Sequence, residues 1–167
     1  MINLFPCNAS DTDQIWRKTY ITGNPNYVQP LSNGSVGILE SQAGKRISLP
    51  NLANGGAIQG RTPNNNDASQ RIKFNWNGYA YTLYRDQTTY GLSSTGLDYI
   101  GLGGNAMNIH AYTNASGRYG SFGFVDLGGG YFQVKSFFYP KYCLSTSSGA
   151  LTVLFTCNSA DPNQSLN

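Results

Sequence analysis

The sequence has little charge, a single histidine and no long apolar run. Charged residues make up 11% of the 167 residues, whereas there are 12 Tyr, 8 Phe and 2 Trp. This combination argues against disorder, because disordered chains are usually highly charged and poor in aromatic residues. No stretch approaches the roughly eighteen apolar residues that a membrane-spanning helix needs. The composition therefore predicts one folded domain over residues 1–167 with no membrane span.

The few ionisable residues exclude several classes of function. The net charge is +3, and the adjacent basic pairs are limited to 17–18 and 45–46. A nucleic-acid-binding surface normally carries a basic stripe, so we expect no nucleic acid partner. His110 has no second histidine, cysteine or carboxylate cluster beside it, which predicts no metal site and no cofactor. No pair of acids stands out as a glycosidase acid and base.

Helical periodicity is missing as well. No window holds apolar residues at the i, i+3, i+4, i+7 spacing, and 20 glycines interrupt the chain. Short β-like runs separated by Asn-Gly and Gly-Gly turns are present instead, and such turns supply the positive φ angles that tight hairpins need. Many short strands at this spacing predict an all-β sandwich or barrel.

One nine-residue frame occurs four times. It begins with Asn, has a turn residue three positions later, Gln or Gly six later and a large apolar residue eight later. The copies start at 8, 64, 114 and 158, so they are 56, 50 and 44 residues apart. Such repetition indicates one structural unit used several times. We expect the apolar residues to converge on one core and the glutamine to bond the backbone of the preceding turn. The copies are Asn8–Trp16, Asn64–Ile72, Asn114–Phe122 and Asn158–Leu166.

The three cysteines do not have metal-ligand spacing. Cys143 and Cys157 flank an apolar, hairpin-like stretch that a disulfide can bridge, which leaves Cys7 unpaired. A disulfide is typical of secreted proteins, so we expect a secreted or extracellular location. No secretory leader is visible at the N-terminus, because Met1–Phe5 is too short for its apolar segment.

The first copy of the frame carries a family resemblance. Ile2–Trp16 resembles the closing half of a repeat in ricin B-chain-like lectins, where Gln-x-Trp follows an apolar strand, a cysteine and a polar turn. Tyr142–Ser145 resembles the opening half, whose cysteine pairs with the later one. The resemblance implies a β-trefoil with three pseudo-symmetric repeats at about 17–72, 73–122 and 123–167 and a partial extra repeat at 1–16. Further closing halves resemble the family at Ala57–Ile72, Gly104–Tyr112 and Leu151–Leu166.

The resemblance also implies a non-catalytic lectin that binds glycans or glycoproteins of the galactose or N-acetylgalactosamine type. In this family an acid and an amide bond sugar hydroxyls, while an aromatic ring stacks on the apolar face of the sugar. Ser145 stands where the family has aspartate, and Arg61 stands where it has an aromatic residue. The carbohydrate-contact residues that the resemblance implies are Asn3, Phe5, Gln59, Asp98, Asn108, His110, Tyr112, Ser145, Phe155, Asn163 and Gln164.

Two alternative functions remain open. Trefoils also serve as protein-interaction or protease-inhibitor scaffolds through exposed loops, and the segment 49–66, rich in Asn, Gly and Pro, is the candidate loop. The half repeat at the N-terminus is also consistent with an accessory binding domain of a toxin or glycoside hydrolase. An oligomer or a larger toxin or enzyme assembly would then supply the partners.

Overall fold

The structure, a computed structural model, describes residues 27–94, 106–117, 119–148 and 151–167. Within these ranges there is no α-helix, and one single-turn 3-10 helix spans Ala68–Gln70. The predicted all-β class is confirmed. The strands are β1 (Tyr27–Val28), β2 (Ser35–Gly37), β3 (Arg46–Ser48), β4 (Gly56–Ala57), β5 (Gln59–Arg61), β6 (Ile72–Trp76), β7 (Tyr81–Arg85), β8 (Tyr90–Ser93), β9 (Ala106–Asn108), β10 (His110–Thr113), β11 (Ser121–Gly128), β12 (Tyr131–Ser136), β13 (Tyr142–Ser148) and β14 (Leu151–Thr156).

Six segments close into a barrel. β2 pairs with β6, β6 with β7, β7 with β11 and β11 with β12, all antiparallel. The end of the chain completes the ring, because Leu166 bridges Phe132 of β12 on one side and Ser41, beyond β2, on the other. Closure of this kind pairs the backbone groups that an open sheet would leave at its edges.

Three strand pairs lie outside the barrel ladder. They are β3 with β5, β8 with β10, and β13 with β14. Further pairs join the three hairpins to one another: β4, which precedes β5, pairs with β10, and both β5 and β9 pair with β14. The chain therefore runs three times through the order barrel strand, hairpin strand, hairpin strand, barrel strand. We name these units A (β2 to β6), B (β7 to β11) and C (β12 to residue 167).

The apolar residues of the repeated frame meet in the core. Ile72, Phe122 and Leu166 are each fully buried and belong to one hydrophobic cluster. This confirms the expected shared core for three of the four copies. Trp16 and the rest of the partial repeat at 1–16 lie outside the described residues.

The glutamine of the frame bonds the preceding turn. In unit A the amide of Gln70 accepts from the backbone N–H of Asn64 at 2.9 Å and donates to the carbonyl of Thr62 at 3.0 Å. In unit C, Gln164 makes the same pair of bonds, to Asn158 at 2.8 Å and Thr156 at 3.0 Å. The expected structural role of this glutamine is confirmed in both units.

Unit B has Gly120 at the glutamine position, and the structure shows why. A Cβ on Gly120 would lie 2.5 Å from the carbonyl oxygen of Ala115, closer than any side chain tolerates. Ser94 holds this turn instead, through its N–H at 2.9 Å and its hydroxyl at 2.8 Å, both donating to the carbonyl of Tyr119. The degraded third copy of the frame is thus a local change of hydrogen bonding within the same fold.

The segment 49–66 is not a free loop. It contains β4 and β5, which pair with β10, β3 and β14 and supply the second hairpin strand of unit A. The expectation of an exposed inhibitor-type loop over this whole segment is therefore wrong. The predicted disulfide between Cys143 and Cys157 is present, and it joins the start of β13 to the residue after β14.

A polar side chain, that of Thr152, lies among apolar residues where the three units meet. Ile58, Ile109 and Thr152 occupy equivalent positions and are at most 2% exposed. The hydroxyl of Thr152 has no hydrogen-bond partner among the described residues. An unsatisfied buried hydroxyl is unfavourable, whereas an apolar group of the same shape is not.

We therefore expect Thr152→Val to raise the free energy of unfolding by about 1 kcal/mol. Chemical denaturation at constant pH measures the change. Thr146→Val is the matched control. The Thr146 hydroxyl is hydrogen-bonded to the Ser41 hydroxyl at 3.0 Å, so its removal should lower the free energy of unfolding. Equal effects of the two substitutions would contradict this account.

Candidate functional site

The hairpin of each unit carries a serine at the same register position. All three serines are at most 2% exposed. The predicted acid Asp98 lies outside the described residues. The register pairs Ser48 with Gln59, Ser93 with His110, and Ser145 with Val153.

Two implied contact residues prove to be interior. Ser145 is fully buried, and Gln164 is 1% exposed with its amide committed to the closing turn. Neither side chain is available to a ligand at the surface, so their assignment as sugar contacts is corrected. Asn3 and Phe5 lie outside the described residues, as does the side chain of Asn108, whose backbone pairs with Val153.

The aromatic position of each unit follows from the same register. Arg61 lies opposite Arg46, Tyr112 opposite Gly91, and Phe155 opposite Cys143. All three side chains are half-buried. Units B and C therefore present a ring at this position, and unit A presents a guanidinium.

In unit B, His110 and Tyr112 are two residues apart in β10 and so lie on the same face of the strand. The turn at Asn54 packs beside them: its side-chain oxygen accepts from the backbone N–H of Thr113 at 2.8 Å and from the Thr113 hydroxyl at 3.1 Å. Gly55 donates to the carbonyl of Ala111 at 2.9 Å. Asn54 is thus a polar neighbour of the site that the repeat pattern did not predict, since it comes from unit A.

In unit C, Asn163 is half-buried and held on two sides. Its amide nitrogen donates to Asp161 at 3.0 Å, and the hydroxyl of Thr146 donates to its amide oxygen at 3.3 Å. Asp161 also accepts from the backbone N–H of Asn163 at 2.9 Å. The amide is therefore positioned by its own turn, as a fixed donor and acceptor near the end of the hairpin that carries Phe155.

In unit A the polar residues are hydrogen-bonded or ion-paired with one another. The guanidinium of Arg61 donates to Gln59 at 2.9 Å and lies 3.6 Å from the carboxylate of Asp67. Hydrogen bonds from the side chain and backbone of Ser69, with a smaller contribution from Arg61, hold the pKa of Asp67 below its usual value. Gln59 is thus engaged by Arg61, and this unit lacks a stacking ring.

No group of three or more His, Cys, Asp or Glu residues in the described part of the chain is arranged to hold a metal ion. Over the same residues, no helix has the length and apolar character required to cross a bilayer.

No sequence family matches the chain, and no curated protein matches it. Solved structures do match. The designed three-fold symmetric protein ThreeFoil is 18% identical with a TM-score of 0.67, over 79% of this chain and 96% of that one. The Rhizoctonia solani agglutinin is 18% identical with a TM-score of 0.65, over 83% and 97%. A mosquitocidal holotoxin is 16% identical with a TM-score of 0.68, over 81% of this chain and 17% of the toxin.

The chain folds as a β-trefoil. The closed barrel, the three hairpins and the three-fold repetition are the features that it shares with these structures. Identities this low establish the fold alone. The site in this β-trefoil therefore has to be argued from its own residues, and the Gln14-Ile-Trp16 motif lies outside the described ones.

Proposed function

We propose that the protein is a non-catalytic carbohydrate-binding module of the lectin type. The observation that carries this proposal is the pair of rings, Tyr112 and Phe155, at equivalent hairpin positions of units B and C. In unit B, His110 lies two residues before Tyr112 on the same strand, and Asn54 is bound to the next residue, Thr113. In unit C, Asn163 is held by Thr146 of the hairpin that carries Phe155. A ring for the C–H face of a sugar and amides for its hydroxyls match the chemistry of a pyranose.

The fold supports the same proposal, because one of the similar structures is an agglutinin. Following the family resemblance, we propose galactose- or N-acetylgalactosamine-type glycans as ligands. Asp98 remains a proposed contact of the unit B site, and we expect single-site dissociation constants of about 1 mM. Useful affinity then requires both sites to engage one glycan surface.

A double substitution, Tyr112→Ala with Phe155→Ala, should remove glycan binding at both sites without unfolding the barrel. Binding is measured on a glycan array at high protein concentration and confirmed by titration with the best glycan. Each ring contributes stacking of about 0.5–1.5 kcal/mol, so each single substitution should weaken binding several-fold. Tyr131→Ala, at another half-buried tyrosine, is the control. Undiminished binding by the double variant would rule out this site.

A second role is favoured by one observation. The chain aligns with 17% of the mosquitocidal holotoxin, so a module of this size occurs as one part of a much larger protein. We propose, as a second role that agrees with the lectin function, that the protein is an accessory binding module. It would attach a larger protein to glycans while another domain of that protein carries the activity. The disulfide and the lectin-type fold support a secreted or extracellular location. A pull-down with candidate proteases, negative while glycans bind, separates this role from that of an inhibitor.

A further inference from the structure

A cleft of about 590 Å³ opens beside the junction of units A and B. Its volume falls within the range of about 300–1,000 Å³ that is usual for small-ligand sites. The cleft lies along the turn between β7 and β8 and adjoins the unit B hairpin, because Tyr90 pairs with Thr113 and the backbone N–H of Asn114 donates to the carbonyl of Thr89 at 2.9 Å. Its lining residues are Leu52, Lys73, Asp86, Gln87, Thr88, Thr89 and Tyr90.

The walls of the cleft are held in place by their own hydrogen bonds. The hydroxyl of Thr88 donates to the carbonyl of Arg85 at 2.9 Å and accepts from the N–H of Tyr90 at 3.2 Å. Gln87 sits at the tip of the turn with a positive φ of 59° and an exposed side chain. On the opposite wall, Arg85 donates to the carbonyl of Leu49 at 3.2 Å, which fixes the start of the segment that carries Leu52.

The equivalent turns of the other two units also pack against other parts of the chain. The three turns are related by one backbone bond, from Gln42 to Ser165, from Asp86 to Arg71 and from Phe137 to Ser121, each 2.9 Å long. In unit A the turn lies on the end of the chain, with a further bond from Ala43 to the carbonyl of Pro162 at 3.3 Å. In unit C the rings of Phe137, Phe138 and Tyr139 pack against neighbouring aromatic residues.

The charges in the cleft are unbalanced. The carboxylate of Asp86, whose side chain is 12% exposed, is neutralised by the guanidinium of Arg71 at 2.9 Å. Lys73 is half-buried on β6 and has no ion-pair partner among the described residues. One cation is thus left to meet a ligand, beside two threonine hydroxyls and the exposed apolar surface of Leu52.

We propose that this cleft is a further subsite for an acidic sugar, whose C6 carboxylate pairs with Lys73 while its hydroxyls meet Gln87, Thr88 and Thr89. The proposal rests on the proposed carbohydrate-binding function. A carboxylate is the natural partner of an unpaired ammonium group, and a pyranose offers both the hydroxyls and the apolar face that the walls accommodate.

The test uses two sugars that differ only at C6, methyl β-glucuronide and methyl β-glucoside. Titration of the isotope-labelled protein should shift the backbone amides of residues 86–90, and the glucuronide should bind about five- to tenfold more tightly, as expected for one partly exposed charge-assisted bond. Lys73→Gln should remove this preference, while Lys73→Arg should preserve it. Lys135→Gln, at a half-buried lysine of β12, is the matched control.

Equal affinities for the two sugars, or a preference that survives Lys73→Gln, would overturn the proposal. The array with the Tyr112/Phe155 double variant is independent of this experiment. Array binding that depends on those rings, together with no glucuronide preference, would retain the lectin function and reject the subsite. Glucuronide binding at residues 86–90, together with no binding to any glycan on the array, would support the subsite and reject the hairpin sites.

Discussion

Replacing Phe122 with alanine should lower the free energy of unfolding by about 3–5 kcal/mol, the usual range for a buried phenylalanine. The ring is fully buried, and its strand is paired on both sides, with Tyr81 of β7 and Ser136 of β12. The surrounding barrel is closed, so its strands have little freedom to collapse into the space that the ring leaves. Denaturation in urea with far-ultraviolet circular dichroism measures the loss.

Phe122→Leu is the control, because it keeps the position apolar and most of its volume. We expect that substitution to cost less than about 1.5 kcal/mol. Ile72 occupies the same place in unit A, and Ile72→Val should cost about 0.5–1.5 kcal/mol. Equal losses for alanine and leucine at position 122 would mean that the frame residue does not pack into the shared core.

The parts of the fold that depend on local repetition were predictable from the sequence. A glutamine six residues after an asparagine, and an apolar residue two further on, specify a closed turn and an inward-facing side chain. Gln70 and Gln164 make the same backbone bonds in different units because the same short spacing brings the same groups together. Local geometry of this kind repeats whenever the local sequence does.

The site was less predictable because its parts come from different units. Strand register places Ser93 opposite His110, while the predicted acid Asp98 lies outside the described residues. Register depends on pairing between strands far apart in sequence, and a small error in it changes which side chains meet. Asn54 contacts Thr113 across 59 residues for the same reason.

Removing the disulfide should have the second large effect. Cys143 and Cys157 are 14 residues apart, and a cross-link closing a loop of about 15 residues stabilises a fold by about 3 kcal/mol through the unfolded chain. The bond joins the two strands of the unit C hairpin, whose second strand also pairs with β5 of unit A and β9 of unit B. We expect the double substitution Cys143→Ala with Cys157→Ala to lower the free energy of unfolding by that amount.

The mechanism predicts more than the size of the loss. Because the constraint acts on the unfolded chain, the variant should keep the folded hairpin, and glycan binding that depends on Phe155 should survive below the new unfolding transition. Denaturation of the wild-type protein with and without a reducing agent gives the same comparison without substitution, and the two losses should agree. A stability unchanged by both treatments would contradict the account. Loss of Phe155-dependent binding in a folded variant would instead show that the bond acts in the native state, by holding the hairpin that carries the ring.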